Sequence, residues 1–140
     1  MQNYHFEKPV FGKHYRYFNA NPKKNEVDDC VIRSLAVAFD YPWLKVFDEL
    51  TSIARENFTV LNFKDCYEKY LSEHEVEPIK TMTQKQRKKM TGLDFSKKYK
   101  EGRFILRMAN HLSVCVDGVI YDTWDCTDKM VYKAWRVKER

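Results

Sequence analysis

The chain of 140 residues has a mass of 16.9 kDa, the size of one ordinary domain, and we expect a single unit over residues 1–140. Hydrophobic residues make up 44% and charged residues 32%, which excludes disordered and collagen-like chains. No apolar run approaches the roughly 20 residues of a membrane helix. The N-terminal residues lack the apolar segment of a secretory signal, so we expect a cytoplasmic protein.

Charge is distributed unevenly, with a formal net charge of +5 and much of the basic excess in residues 85–100. Clustered lysine can neutralise the phosphates of nucleic acid, attract an acidic protein surface, or keep a helix face in water. Neither zinc-finger spacing nor a glycine-rich phosphate loop accompanies this segment. The pattern therefore favours a solvated face, then an acidic protein partner, and nucleic acid last.

The N-terminal part of the chain predicts an extended lead-in followed by a buried helix. Residues 14–18 alternate like a strand, and the lead-in ends at Asp28 and Asp29, which are residue types that begin helices. Residues 30–39 are apolar on nearly every side and predict a central helix that ends before Pro42.

The middle of the chain predicts further helices. Residues 43–56 place apolar side chains at helical spacing, and residues 62–73 predict a third helix capped by Asn62. Residues 83–99 are basic and predicted to be helical in part, with an interruption near Thr91 and Gly92.

After Gly102 the pattern becomes that of β-strands. We predict strands over residues 104–108, 112–116, 119–124 and 130–137. The pair Asp117-Gly118 predicts a two-residue hairpin turn, which would set residue 113 opposite residue 122. Helices followed by an antiparallel sheet predict an α+β fold.

The four cysteines, Cys30, Cys66, Cys115 and Cys126, are widely spaced. In a cytoplasmic protein this spacing predicts free thiols rather than a disulfide framework. Zinc sites use Cys or His ligands paired a few residues apart, a pattern missing from the sequence, so we expect neither a metal nor another cofactor. Most of these thiols are expected to pack as small hydrophobes, with Cys126 in a loop without a partner.

Cys30 has a position that can activate a thiol. The first turn of a helix presents unpaired N–H groups and the positive end of the helix dipole, which favour a thiolate. The adjacent Asp28 and Asp29 oppose a second negative charge, and a cysteine in an apolar helix is ordinarily a packing residue. Position alone leaves both interpretations open.

His111 and Asp122 favour the chemical interpretation. His111 opens an apolar strand, and the hairpin brings Asp122 within two residues of its level. An aspartate there can hold an imidazole in one tautomer while its other nitrogen faces a thiol. A thiol at a helix start, followed by His and Asp on antiparallel strands, predicts a Cys-His-Asp triad.

These residues resemble the papain-like cysteine peptidase superfamily, whose core is a Cys-bearing helix packed against an antiparallel sheet that bears His and Asp or Asn. Residues 29–35, and residues 111–116 followed by Asp122, are similar to the leader-peptidase domains of peptide-exporting ABC transporters. Residues 29–35 and 116–125 also look like small uncharacterised phage and bacterial proteins. The resemblance covers residues 25–40 and 102–136. It implies a papain-like core in which the helix of Cys30 is buried on a C-terminal antiparallel sheet.

The resemblance also implies roles for the residues. In a thiol hydrolase of peptide or amide bonds, Cys30 would attack, His111 would act as base and then acid, and Asp122 would orient His111. Active members carry a Gln shortly before the Cys to complete the oxyanion hole. This chain has none there, and Asn25 is the expected substitute. The implied partner is a peptide or protein substrate.

Two alternatives use the same fold. A catalytically silent binding module, phage-encoded and acting on a host protein in the host cytoplasm, would need neither an upstream Gln nor a reactive thiol. Acyl transfer by Cys30 is the other alternative.

Overall fold

Four helices and a six-stranded sheet form the described part of the protein, a computed structural model that covers Tyr4, Phe6 and residues 12–82 and 88–138. The strands are β1 (Tyr15–Tyr17), β2 (Val76–Ile79), β3 (Arg103–Met108), β4 (His111–Val116), β5 (Val119–Asp122) and β6 (Lys133–Val137). The helices are α1 (Cys30–Phe39), α2 (Trp43–Glu56), α3 (Lys64–Ser72) and α4 (Gly92–Lys98). The α+β class is therefore confirmed.

The sheet differs from the predicted C-terminal antiparallel sheet. Its strand order is β1-β5-β4-β3-β6-β2, and β1 pairs with β5 in parallel while the other neighbours are antiparallel. The expectation of a wholly antiparallel sheet built from the C-terminal half is thus wrong, because the edge strands β1 and β2 come from earlier in the chain. Pro78 lies in β2, where a missing N–H is tolerated at a sheet edge.

The first two helices have the predicted bounds. Nearly all of α1 is buried, as its apolar sequence predicted. It ends at Asp40, which adopts a left-handed conformation with φ 57°, and Pro42 then precedes α2. The signals that end α1 and begin α2 are local in the sequence, which is why the sequence predicted this junction well.

The predicted cap of α3 is wrong. Phe63 occupies the N-cap position, and the Asn62 amide instead donates to the backbone oxygen of Asp28 at 3.2 Å. A long-range contact with the chain before α1 therefore takes the hydrogen bond that a local cap would have used. This contact ties the start of α3 to the start of α1.

The β4–β5 hairpin has the predicted register. Val116 pairs with Val119 across the turn, in which Asp117 has φ 49° and Gly118 has φ 79°. A two-residue turn of this kind needs left-handed conformations at both positions. The register carries Ser113 to Asp122, where the Ser113 hydroxyl donates to Oδ2 at 2.6 Å.

Replacing Gly118 with Ala should destabilise the protein more than the same change at Gly12. Both glycines have φ 79°, but a Cβ at Gly118 would lie 3.1 Å from the Ser96 carbonyl oxygen, whereas none of the described atoms lies within 4 Å at Gly12. Left-handed alanine costs about 1–2 kcal/mol at either site, and the close approach adds to it only at Gly118. Urea denaturation of both variants checks this, and equal losses would contradict it.

The sheet separates two apolar layers. Side chains at alternate positions of β4, such as Leu112 and Val114, pack against α1–α3, while Cys115 packs on the opposite face with Phe95 of α4. The start of β4 lies against α1, where the Ser34 hydroxyl donates to the Leu112 carbonyl at 2.8 Å. This packing brings the first residue of β4 towards the first residue of α1.

The basic segment is only partly described. Residues 83–87, including Lys85 and Arg87, lie outside the described residues, whereas Thr91 begins α4 through a capping box with Asp94. The prediction that this segment is helical in part is confirmed, but the described helix begins at Gly92 rather than being interrupted there. Lys97 is exposed in the last turn of α4, in keeping with a solvated face.

Within the described ranges, every helix is too short or too polar to cross a membrane.

Candidate active site

Cys30 begins α1 and forms part of the wall of a surface cavity of about 1100 Å³. Its thiol is half-buried, and His111 and the backbone of Leu112 lie close enough to lower the pKa of this thiol. The structure thus brings the helix start and the strand start together. This contact joins residues that are far apart in the chain.

His111 is held by Asp122. Its Nε2 lies 2.7 Å from Asp122 Oδ2, and its side chain is 8% exposed. Because Nε2 is committed to the carboxylate, Nδ1 is the ring nitrogen that this contact leaves unused. The structure thus places Cys30 beside His111 and joins His111 to Asp122 by a hydrogen bond.

Electrostatic interactions favour the thiolate form of Cys30 and the imidazolium form of His111. Burial opposes ionisation of Cys30, but the hydrogen bonds with His111 and Leu112 prevail and lower its pKa below the ordinary thiol value. Burial alone would lower the pKa of His111, yet the hydrogen bonds to Asp122 and the two neighbouring thiols raise it well above its ordinary value. Each member of the pair thus stabilises the charged form of the other.

The thiol pKa of each remaining cysteine is raised rather than lowered. Burial raises the pKa of Cys66 and Cys126, and it raises the pKa of Cys115 to about 12. Only the thiol at the start of α1 has a lowered pKa among the four.

Donors surround the Asp122 carboxylate on both oxygens. Oδ2 accepts from His111, from the Ser113 hydroxyl at 2.6 Å and from the Cys126 thiol at 3.5 Å. Oδ1 accepts from the Thr123 backbone N–H at 2.7 Å. Burial opposes its ionisation, but these donors, His111 foremost, lower the pKa of Asp122 below its ordinary value. The carboxylate therefore stays charged and fixed in orientation.

Cys126 has a role that the sequence did not indicate. Cys126 lies in a loop as expected, but the expectation that it has no partner is wrong, because it is fully buried and contacts Asp122 and Ser113 beside His111. Neither its neighbours in sequence nor any periodicity signals this contact. The loop that follows β5 carries Cys126 back to Asp122 and Ser113.

Arg33 links the site to the start of α1. Its Nε donates to Asp29 Oδ1 at 2.8 Å, and its Nη1 donates to Asp122 Oδ1 at 3.3 Å and to the Thr123 hydroxyl at 3.2 Å. Asp29 Oδ2 also accepts from the Trp43 indole at 2.9 Å. The charge of Asp29 is therefore compensated, which removes the repulsion that its proximity to Cys30 suggested.

Trp124 covers the imidazole. Its ring centroid lies 4.8 Å from that of His111, and the residue is 41% exposed. It lies over the histidine at the surface rather than in the core, so it shields the His111–Asp122 hydrogen bond from water.

The structure does not bring Asn25 into the cavity. Its side chain is exposed, its backbone oxygen accepts from the Asn19 amide at 2.9 Å, and it is not among the residues that line the cavity. The oxyanion role expected for Asn25 has no contact to support it. The neighbouring Glu26, Val27 and Asp28 line the wall instead.

Within the described ranges, one group of side chains has the composition of a metal site: His111, Asp122 and Cys126, whose ligand atoms lie within 4.8 Å of one another. Hydrogen bonds already join these atoms around Asp122 Oδ2, which also accepts from Ser113. A metal ion would have to displace those protons from a buried position. The geometry therefore fits a hydrogen-bond network that supports His111.

Beyond the cysteine, histidine and aspartate, sequence reasoning did not find the supporting contacts of Ser113 and Cys126, because they depend on the fold around Asp122. The predicted hairpin register did set Ser113 opposite Asp122, but it did not indicate a hydrogen bond between the two side chains.

No protein-family model, curated protein or solved structure matches this chain.

Proposed function

We propose that the protein is a thiol hydrolase of peptide or amide bonds with a papain-like arrangement of Cys30, His111 and Asp122. The observation that carries this proposal is that a half-buried thiol with a lowered pKa and a histidine hydrogen-bonded to a buried carboxylate lie together at the wall of one open cavity. A packing cysteine would need no such neighbours. A helix with the thiol at its first residue, lying against the strand of His111, supports the papain-like comparison.

The mechanism uses each residue in turn. The Cys30 thiolate attacks the carbonyl carbon, forming a C–S bond as the carbonyl π electrons move to oxygen. Collapse of this adduct breaks the C–N bond, and the His111 imidazolium donates its proton to the departing amine. His111, now neutral, takes a proton from water, which attacks the thioester and releases the acid and the thiolate. Asp122 keeps the imidazole oriented throughout.

The cavity suits a peptide segment. Beside Cys30 it presents the partly exposed side chains of Phe63, Trp124 and Tyr132, with Arg107 among the polar groups of its wall. Apolar walls with a few polar groups are typical of sites that orient a substrate chain.

A silent binding module is the second candidate. The displacement of Asn25 from the cavity favours it, because the expected oxyanion donor is not in place. The two candidates differ in the reactivity of Cys30 and in whether peptides are cut.

Alkylation by iodoacetamide at pH 6 tests the proposal. An ordinary thiol with a pKa of about 8.5 is only about 0.3% ionised at this pH, so it reacts slowly. Because the pKa of Cys30 is lowered while that of each other cysteine is raised, we expect mass spectrometry to find Cys30 modified first. Urea-unfolded protein is the control, in which all four thiols should react alike. Earlier modification of Cys66 or Cys126 would overturn the assignment.

Peptide cleavage separates the enzyme from the binding module. A tryptic peptide library is incubated with the wild-type protein and with Cys30→Ala, and new N-termini are identified by mass spectrometry. The proposal expects new termini only with the wild-type protein. Rapid alkylation of Cys30 without any cleavage would favour the binding module.

A further inference from the structure

Tyr67 of α3 is a buried residue whose hydroxyl has no partner in the described part of the protein. It is 5% exposed, and a buried tyrosine ordinarily uses its hydroxyl in a hydrogen bond. Tyr70, one turn later on the same helix, follows this rule by donating to Glu49 Oε1 at 2.9 Å. No described group accepts from or donates to the Tyr67 hydroxyl.

The unpartnered hydroxyl opens into the cavity of Cys30. Among the described residues, Thr51 Oγ1 is the one side-chain nitrogen or oxygen that is both fully enclosed and without a hydrogen bond. The Tyr67 hydroxyl is therefore not enclosed, and the cavity that Tyr67 lines together with Cys30 and His111 is the space it faces. An otherwise buried side chain thus presents a single polar atom to the proposed reaction site.

The electrostatic environment links Tyr67 to the thiol and keeps it protonated. Burial is the main cause that raises the pKa of Tyr67 to about 12, with Glu68 and the charge of Cys30 adding to it and Arg107 opposing it. The hydroxyl is therefore a neutral donor at neutral pH. A fixed neutral donor near the sulfur suits an oxygen that gains negative charge.

We infer that the Tyr67 hydroxyl donates a hydrogen bond to the substrate carbonyl oxygen as Cys30 attacks, and so takes the place expected for Asn25. The inference rests on the proposed function and adds a catalytic residue to it. As the C–S bond forms, the carbonyl electron pair moves onto that oxygen, and the backbone N–H of Cys30 can share it. That N–H lies in the first turn of α1, where no intrahelical acceptor exists.

A peptide aldehyde tests the inference because it forms the same kind of adduct without cleavage. The probe is N-acetyl-phenylalanyl-glycinal, whose carbonyl carbon accepts the Cys30 sulfur and whose oxygen becomes the oxyanion or, with a proton from His111, a hydroxyl. Binding is measured as protection of Cys30 from iodoacetamide, which itself creates no oxyanion. Loss of one oxyanion donor lowers catalytic rates about 10²–10³-fold, so we expect Tyr67→Phe to weaken aldehyde binding at least about tenfold.

The controls separate this role from a structural one. The alkylation rate of Cys30 and the thermal midpoint should not change in Tyr67→Phe, because the hydroxyl makes no hydrogen bond within the described protein. Tyr17→Phe removes a hydroxyl from an exposed side chain that does not line the cavity, and this variant should bind the aldehyde as the wild-type protein does.

Unchanged aldehyde binding by Tyr67→Phe would overturn the inference while leaving the proposed function in place. An equal fall in aldehyde binding and alkylation would also overturn it, because the tyrosine would then act through the thiol. Wild-type protein that cannot bind the aldehyde would overturn both the inference and the proposed function.

Discussion

Replacing Asp122 with Asn is expected to suppress the reactivity of Cys30 at pH 6 by about 10–10²-fold. The carboxylate raises the pKa of His111, and the resulting imidazolium lowers the pKa of Cys30. Without the negative charge the imidazole loses its proton more readily, and the thiol pKa rises towards its ordinary value of about 8.5. Since a thiol of that pKa is almost wholly protonated at pH 6, alkylation should slow.

The pH dependence of the alkylation rate distinguishes this mechanism from a general loss of structure. In the wild-type protein the alkylation rate should fall less steeply between pH 8 and pH 6 than that of an ordinary thiol, because the pKa of Cys30 is lowered. In Asp122→Asn the rate should fall about tenfold for each pH unit over the same range. Peptide hydrolysis, which also needs an oriented base, should decrease more, on the order of 10⁴-fold.

Asp128→Asn is the matched control for this experiment. It removes the same charge from an exposed position a few residues later, and its alkylation profile should match that of the wild-type protein. A folded Asp122→Asn protein that is alkylated at pH 6 as fast as the wild-type protein would show that Asp122 does not sustain the ion pair. Circular dichroism establishes that each variant is folded.

Replacing Arg33 with Met should lower the free energy of unfolding by about 3–5 kcal/mol. Its side chain is 11% exposed, and its guanidinium lies between the carboxylates of Asp29 and Asp122, whose side chains are each 3% exposed. Removing one partner leaves buried charge without compensation, which is the costly way to break a buried ion pair. Lysine cannot restore the contacts, because the fork of Arg33 reaches two carboxylates and the Thr123 hydroxyl together.

Lys45→Met provides the comparison. Lys45 and Glu49 form an ion pair with the same i,i+4 spacing as Asp29 and Arg33, but their side chains are 46% and 37% exposed. Exposed pairs of this type contribute about 0.3–0.5 kcal/mol, so Lys45→Met should have little effect. Urea denaturation of both variants measures the difference. Losses of similar size would refute the claim that Arg33 compensates buried charge.

The elements that the sequence predicted well are those whose signals are local. The bounds of α1 and α2 follow from helical periodicity and from Asp40 and Pro42 at their junction. The register of the β4–β5 hairpin follows from Asp117 and Gly118, since a two-residue turn leaves one pairing. These local rules were enough to align His111 with Asp122 and to set Cys30 at a helix start.

The predictions that failed depended on contacts between distant parts of the chain. Asn62 does not cap α3 because its amide contacts the backbone of Asp28. The parallel pairing of β1 with β5 joins residues on either side of all four described helices, and nothing near Tyr15 in the sequence indicates it. Likewise the burial of Cys126 results from the turn after β5, not from a pattern.

The sequence alone determined which residues carry the candidate chemistry, because helix start, strand start and hairpin register are properties of short segments. Only the tertiary structure decided that Cys30 meets His111, that Arg33 compensates the carboxylates behind them, and that Tyr67 rather than Asn25 lines the cavity. These outcomes depend on how α1 and α3 pack on the sheet. Packing is set by the summed burial of many side chains distant in sequence, and local periodicity does not encode it.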